Sequence, residues 1–362
     1  MLRPYRKSDL TEVESLFEGW EFKPFSGHDR WPAGRVASLC KFRVGELLDA
    51  PSSTSWVIES DDKITGFTSL SILPWDSAQI GMSAARIDYL LAVDSIESRF
   101  FSMQSLMDEG ARYCIGKGIE HLSIRVDAAD VTALHVLENA GFVTVDGLLT
   151  FASNLKHLPV AMTDIHITIR LGTPDDAERA ADLASCAYSY DRFHSDPAIS
   201  TVRANELHAT WLKNSCAGLA SDAVVIAEDS SGLLGFVTCK LQRDTETHLG
   251  KLVGTIVLVA TSESARGKGV GRAMTLAAID WFRGQGVEIV EVGTQLRNIP
   301  ASRLYQSCGF QLVGSSISLR ALLPRPVLQR RALWVDSESV PTTTDFTRLP
   351  FPHANPEQKW RQ

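Results

Sequence analysis

At 362 residues, with 44% apolar and 22% charged side chains, the chain is long enough for two ordinary globular cores and too mixed in composition for a fibrous or disordered protein. Its 36 basic and 43 acidic side chains give a net charge of −7 without a long run of one sign, which argues against nucleic acid as a partner. No apolar stretch reaches the roughly 18 residues of a membrane span, Met1–Asp9 is charged where a signal peptide needs an apolar core, and six cysteines lie scattered without metal-ligand spacing, so a cytoplasmic protein with reduced thiols and no metal is expected.

In chain order, Met103, Leu106, Met107, Gly110, Ala111 and Cys114 recur at the spacing of one helix face. Gly116-Lys117-Gly118-Ile119-Glu120-His121 and the run from Asp130 to Gly141-Phe142 follow. A strand around 165–170 then leads through Thr173-Pro174-Asp175-Asp176, a helix-start signal, into a helix ending near Tyr188. Val224–Ala227 and Leu234–Lys240 are β-rich runs joined by the hairpin signal Asp229-Ser230-Ser231-Gly232. Leu252–Val259 reads as a longer strand, Val270–Arg283 as a helix with Val270, Met274, Ala277, Ala278 and Trp281 on its apolar face, Glu288–Thr294 as a strand, and Ala301–Ser307 as a short helix closed by Gly309. Beyond Leu323, repeated prolines and Thr342-Thr343-Thr344 suggest a Pro-rich tail, partly disordered, with Trp334 and Trp360 allowing a docked segment.

The two halves repeat one another. Gly284-Gln285-Gly286-Val287-Glu288 through Gly309-Phe310 matches Gly116-Lys117-Gly118-Ile119-Glu120 through Gly141-Phe142 at a constant offset of 168, and upstream Gly235-Phe236 answers Gly66-Phe67 and Arg170 answers Arg3. Two copies of one mixed α/β fold are therefore expected, at 1–160 and 161–323, followed by the tail at 324–362.

Arg266-Gly267-Lys268-Gly269-Val270-Gly271 lies between a strand and a helix, where glycines let the backbone approach a ligand and the helix N-terminus favours an anion. A pyrophosphate suits such a turn. The spacing is not the GxGxxG of a dinucleotide site after a first strand, and Arg272-Ala273 replaces the Lys-Ser/Thr that a P-loop requires.

Taken with Asn298, Ala301, Tyr305 and Gly309-Phe310 downstream, the turn Arg266-x-x-Gly269-x-Gly271 resembles the acetyl-CoA motif of the GNAT acyltransferase superfamily. The resemblance implies a tandem GNAT fold acting on acetyl-CoA as co-substrate. Arg266, Gly267, Lys268, Gly269, Val270, Gly271 and Arg272 would hold the pyrophosphate, and Asn298 and Ala301 would touch the cofactor arm. Leu258 or Val259 would offer a main-chain N–H to the developing oxyanion, and Tyr305 would serve as general acid. The proton acceptor for the attacking amine stays open among Glu228, Asp229, His248 and water.

In the first copy the same offset sets Ser98 against Arg266, Phe101 against Gly269, Met103 against Gly271, Asp130 against Asn298 and Leu137 against Tyr305. That copy is expected to be degenerate, with Phe101 and Met103 filling the phosphate position, and to shape the acceptor site or stabilise the second copy. Pro74-Trp75-Asp76-Ser77 with Gly81, the Ala187–Pro197 segment, and Thr294-Gln295 further resemble the TDP-fucosamine acetyltransferases. This implies a small-molecule amine acceptor, a nucleotide-linked 4-amino-4,6-dideoxyhexose, met by Arg192, His194 and Gln295, with other amines (polyamine, antibiotic, protein N-terminus) or a non-catalytic acyl-CoA-binding module as alternatives and a homodimer as a candidate assembly.

Overall fold

The computed structural model describes residues 1–25, 31–93, 96–157 and 167–323; the expected tail lies outside them. The first half runs β1 (Leu2–Pro4), α1 (Leu10–Gly19), α2 (Ala33–Asp49), β2 (Ser53–Ser60), β3 (Lys63–Ile72), α3 (Pro74–Ile80), β4 (Ala84–Ala92), α4 (Ile96–Gly116), β5 (His121–Asp127), α5 (Val131–Asn139) and β6 (Val143–Asn154). The second runs β7 (Thr168–Leu171), α6 (Ala177–Ala187), α7 (Arg192–Ser195), α8 (Thr201–Cys216), β8 (Ala223–Asp229), β9 (Gly232–Gln242), α9 (Arg243–Leu249), β10 (Val253–Thr261), α10 (Val270–Gly284), β11 (Ile289–Gln295), α11 (Ile299–Ser307) and β12 (Gln311–Leu322).

The repetition extends to individual contacts. Arg170 bridges Asp176 (2.8 Å) and Glu228 (2.7 Å), and Arg3 bridges Asp9 (2.6 Å) and Glu59 (2.7 Å), tying the first strand of each half to the next strand and to a capping box. Asp176 caps its own turn from Thr173, so the Thr173–Asp176 helix signal is realised in bonds. The short helices α3 and α9 both end on a left-handed glycine, Gly81 (φ 72°) and Gly250 (φ 76°), where a side chain would be strained.

All twelve strands form one sheet, in the order β1-β2-β3-β4-β5-β12-β6-β11-β10-β9-β8-β7. Each half gives its last strand to the other: β12 lies between β5 and β6, and β6 lies between β12 and β11. The exchange reaches into the cores. Leu319 and Ala321 of β12, each 1% exposed, pack with Met103, Leu106 and Leu122 of the first half, while Phe151 of β6, 2% exposed, packs with Val292, Tyr305 and Phe310 of the second. Burying each large side chain is worth about 1.5–3 kcal/mol, so neither half completes its core alone.

Alternation along the strands divides the helices between two faces. Val225, Val237 and Ile256 turn toward α10 and α11, and Val224, Phe236 and Leu258 toward α6 and α8. In the first half α4 and α5 cover one face and α1 and α2 the other. On the face of α1, α2, α6 and α8 the halves also clasp each other, α2 against α9 through Val36, Leu39 and Leu249, and α8 against α3 through Ala204, Leu207 and Ile80.

Candidate active site

Only two strand pairs among the described residues are parallel, β4–β5 and β10–β11. In the second half this pairing covers Val253–Ile256 against Ile289–Val292 and then stops. Beyond it β10 follows β9, with a bulge between Ile256 and Val259, and β11 follows β6 through Gly293, Thr294 and Gln295. A wedge therefore opens between two backbones whose N–H and C=O groups no longer pair with each other, at the end of β10 that leads to the glycine turn. Within the bulge the Leu258 N–H donates to the Thr238 hydroxyl at 2.9 Å, so Leu258 is not the open donor the sequence allowed, and Val259 is the candidate that stays.

The turn itself is shaped by two left-handed glycines, Gly267 (φ 73°) and Gly269 (φ 80°), the latter as the N-cap of α10. No side chain caps this helix, and the N–H groups of its first turn, at Val270, Gly271 and Arg272, have no partner within the helix. A Cβ on Gly267 would meet nothing within 4 Å, and the side chain of Arg266 is 56% exposed. Unpaired donors, the positive end of a 15-residue helix and the nearby Arg266 and Lys268 make a site that fits a pyrophosphate.

The first half has the wedge without the cradle. β4 and β5 pair over Ala84–Ile87 and His121–Ile124, with a bulge where Ser69 and Leu70 of β3 face β4. Here, however, α4 starts at Ile96 and has 21 residues against 15 in α10, so helix occupies the positions of the turn. This corrects the expected obstruction: Phe101 is 66% exposed and Met103 lies in the core, and both, like Ser98, sit inside the helix. The donors are lost because helical turns consume them. Arg99 closes the gap further, its guanidinium donating to both carboxylate oxygens of Asp130 at 2.9 Å.

Asn298 and Asp130 do the same work in the two halves. Each side chain accepts from the backbone three residues on, Ala301 N–H at 3.3 Å and Ala133 N–H at 3.1 Å, so both are N-caps. The cap occupies the Asn298 Oδ1 and the Ala301 N–H, which leaves the Asn298 side-chain amide N–H groups for the expected cofactor contact. Tyr305 on α11 is 4% exposed, with ring centroids 6.1 Å from Phe151 and 6.0 Å from Phe310. Burial, reinforced by Cys308, pushes its phenol well above the ordinary range and keeps it protonated. Burial, and after it the neighbouring Tyr305, raises the pKa of Tyr188, whose hydroxyl is buried without a hydrogen-bond partner.

On the acceptor side, Arg192 opens α7 and reaches a cavity between the halves, 3.5 Å from Asp76 and stacked on Phe193. His194 does not face that cavity with a free nitrogen. Its Nδ1 meets Asp191 at 2.6 Å and its Nε2 meets Asn205 at 2.9 Å; burial disfavours its charge, but these bonds outweigh burial and raise its pKa. His208 joins this cluster, which has the composition of a metal-ligand set, but its Nδ1 bonds the Ala204 carbonyl at 2.8 Å and both nitrogens of His194 serve hydrogen bonds. Gln295 ends β11 at the mouth of the wedge. The proton-acceptor candidates are engaged elsewhere: Glu228 by Arg170 and Arg179, Asp229 by Ser231 at a hairpin tip, and His248 by Ser38 and the Phe42 ring. Sequence reasoning missed Arg86 and Arg125, which also line the cavity; the available signal was Arg125 set between Ile124 and Val126 in β5.

Residues 182–310 match the acetyltransferase (GNAT) family. The chain is similar to the spore coat polysaccharide biosynthesis protein SpsD of Bacillus subtilis (strain 168), 25% identical over 272 residues covering 73% of this chain and 86% of that protein. Among solved structures it resembles a GCN5-related N-acetyltransferase from Sphaerobacter thermophilus (TM-score 0.60, 16% identity, 89% of this chain and 95% of that one). It also resembles a tandem GNAT protein from the clavulanic acid biosynthesis pathway (TM-score 0.55, 13% identity, 89% and 98%). The family match lies in the second half, which carries the wedge and the cradle, and the likeness to the solved structures is one of fold, that of GNAT and tandem GNAT proteins.

Proposed function

We propose that the chain moves an acetyl group from acetyl-CoA to the primary amine of a nucleotide-linked amino sugar, by direct attack and at one site per chain. The observation that carries this reading is the β10–β11 wedge opening onto the glycine turn and N-terminus of α10, whereas the matching positions of the first half lie within α4. The amino-sugar acceptor draws support from the likeness to a polysaccharide biosynthesis protein.

The cradle residues 266–272 would hold the pyrophosphate, and acetyl-CoA would supply a thioester activated for attack by an amine. The Val259 N–H, past the bulge, would stabilise the tetrahedral oxyanion. Tyr305 would act as the acid at the departing sulfur. A phenol raised above its usual value near 10 is a weak acid toward a thiolate whose conjugate acid lies near 8.5, so it serves best by donating a hydrogen bond as charge develops on sulfur, with the amine proton following.

Release of free thiol from acetyl-CoA, followed across sugar-nucleotide amines, polyamines, aminoglycosides and peptide N-termini, tests the proposal. Release with the amino-sugar nucleotides alone is expected. Release only with another amine would replace the acceptor, and tight CoA binding without release for any amine would make the chain a binding module.

A further inference from the structure

A cavity of about 1080 Å³ lies on the sheet face shared by α1, α2, α6 and α8, at the centre of the molecule. Its floor includes β4 and β5 of the first half and the exchanged strand β12, and the second half adds Arg192 and Trp211. It thus incorporates the wedge that, in the first half, has no phosphate cradle.

Arg125 stands out within it. Its Nε–H donates to the Ser318 hydroxyl at 3.1 Å, and among the described residues no carboxylate lies within ion-pair distance of its guanidinium. The side chain is open to the cavity yet surrounded by protein, and burial, followed by the opposing charge of Arg192, lowers its pKa to about 10. Arg86 adds to this repulsion although Asp88 pairs with it at 2.6 Å. Several charges nearby are paired: Arg320 and His121 share Asp196, and Arg99 holds Asp130. Asp146, whose carboxyl burial pushes up to about 6, senses Arg125 but stands beyond ion-pair distance of its guanidinium. A guanidinium lined by protein and facing other guanidinium groups is best stabilised when an anion meets it.

We infer that the cavity receives a phosphate or diphosphate group of the acceptor, clamped by Arg125 of the first half and Arg192 of the second. Guanidinium forks suit phosphate oxygens, and the hydroxyls of Ser123, Ser316 and Ser318 line the same floor. Arg125 lies on β5, three strands from β11, or about 14 Å at the usual strand spacing. An acceptor with its amine in the wedge and its phosphates in the cavity spans that distance. The half without a cradle then has a positive task, holding the acceptor's charged end. This deepens the proposed function and relies on it only for the amine.

The test uses the full chain saturated with CoA, so that the cradle is filled, and titrates inorganic pyrophosphate by calorimetry. Saturable binding is expected, weakened about tenfold or more in Arg125→Gln and in Arg192→Gln, with Arg125→Lys between them. Thermal melts identify any variant that has lost its fold. Absence of saturable binding to the wild-type CoA complex, or wild-type affinity in both glutamine variants, would overturn the inference. Pyrophosphate binding that depends on Arg125, in a protein that acetylates no sugar nucleotide, would uphold the cavity assignment and reject the proposed acceptor.

Discussion

Gly271→Ala separates the needs of the fold from the needs of the cradle, because the two should respond with opposite sign. Gly271 is the second residue of α10 and has no positive φ. A Cβ there would meet the Leu304 side chain at 3.4 Å and Thr261 at 3.7 Å, ordinary packing distances. Alanine should therefore stabilise the helix by up to about 0.5–1 kcal/mol, a rise in Tm of about 1–2 °C for a body of this size. The methyl group would at the same time stand over the N–H groups of the first turn. Losing charge-assisted bonds worth about 1.5–3 kcal/mol should weaken CoA by about 10- to 100-fold. Gly269→Ala provides the contrast, since φ is 80° there and alanine should lower stability by about 1–2 kcal/mol along with affinity. Differential scanning calorimetry with CoA titration reads both quantities. A Gly271→Ala protein with raised Tm and unchanged CoA affinity would refute the placement of the phosphates at the start of α10.

Tyr305→Phe should lower turnover by roughly 10²-fold while leaving the dissociation constant for acetyl-CoA unaltered; steady-state kinetics beside equilibrium binding shows whether turnover is instead untouched, which would remove Tyr305 from the chemistry. Asp176 is held far below the usual carboxylate range, first by its bonds from Arg170 and against the cost of burial. Its contribution is thus present above the unfolded pKa near 3.9 and fades as pH falls through the folded value, so Asp176→Asn should flatten the acid limb of stability measured by urea unfolding at pH 2–6. Cutting the backbone after His157 should leave two fragments that stay associated, because β6 and β12 each pair within the other half; elution as separate folded monomers on size-exclusion chromatography would contradict the exchanged sheet.

Local and helical signals were legible in the sequence. The helix with Met103, Leu106, Met107 and Cys114 on its face buries all four side chains. In α10 the buried side chains include Ala273, Ile279 and Phe282, whereas Ala277 and Trp281 are only partly covered, because both the sheet and α11 define that face. Strand β12, helix α8 and the exchange escaped notice, since pairing partners are set by tertiary contacts and nothing in a strand's own residues names its neighbour. The glycine turn could be read from sequence because positive φ demands a residue type. His194 and Leu258 misled because hydrogen-bonding groups look alike in sequence whether they await a ligand or already serve the fold.

The exchanged strands also bear on how such a chain can change over time. A copy that loses its cradle would ordinarily be free to decay and disappear, leaving the working copy behind. Here deletion of the first half would take away β6, and with it Phe151 from beneath Tyr305 and the strand that flanks β11. The duplication acts as a ratchet: once the last strands were traded, the idle copy became indispensable to its twin and stood available for new work.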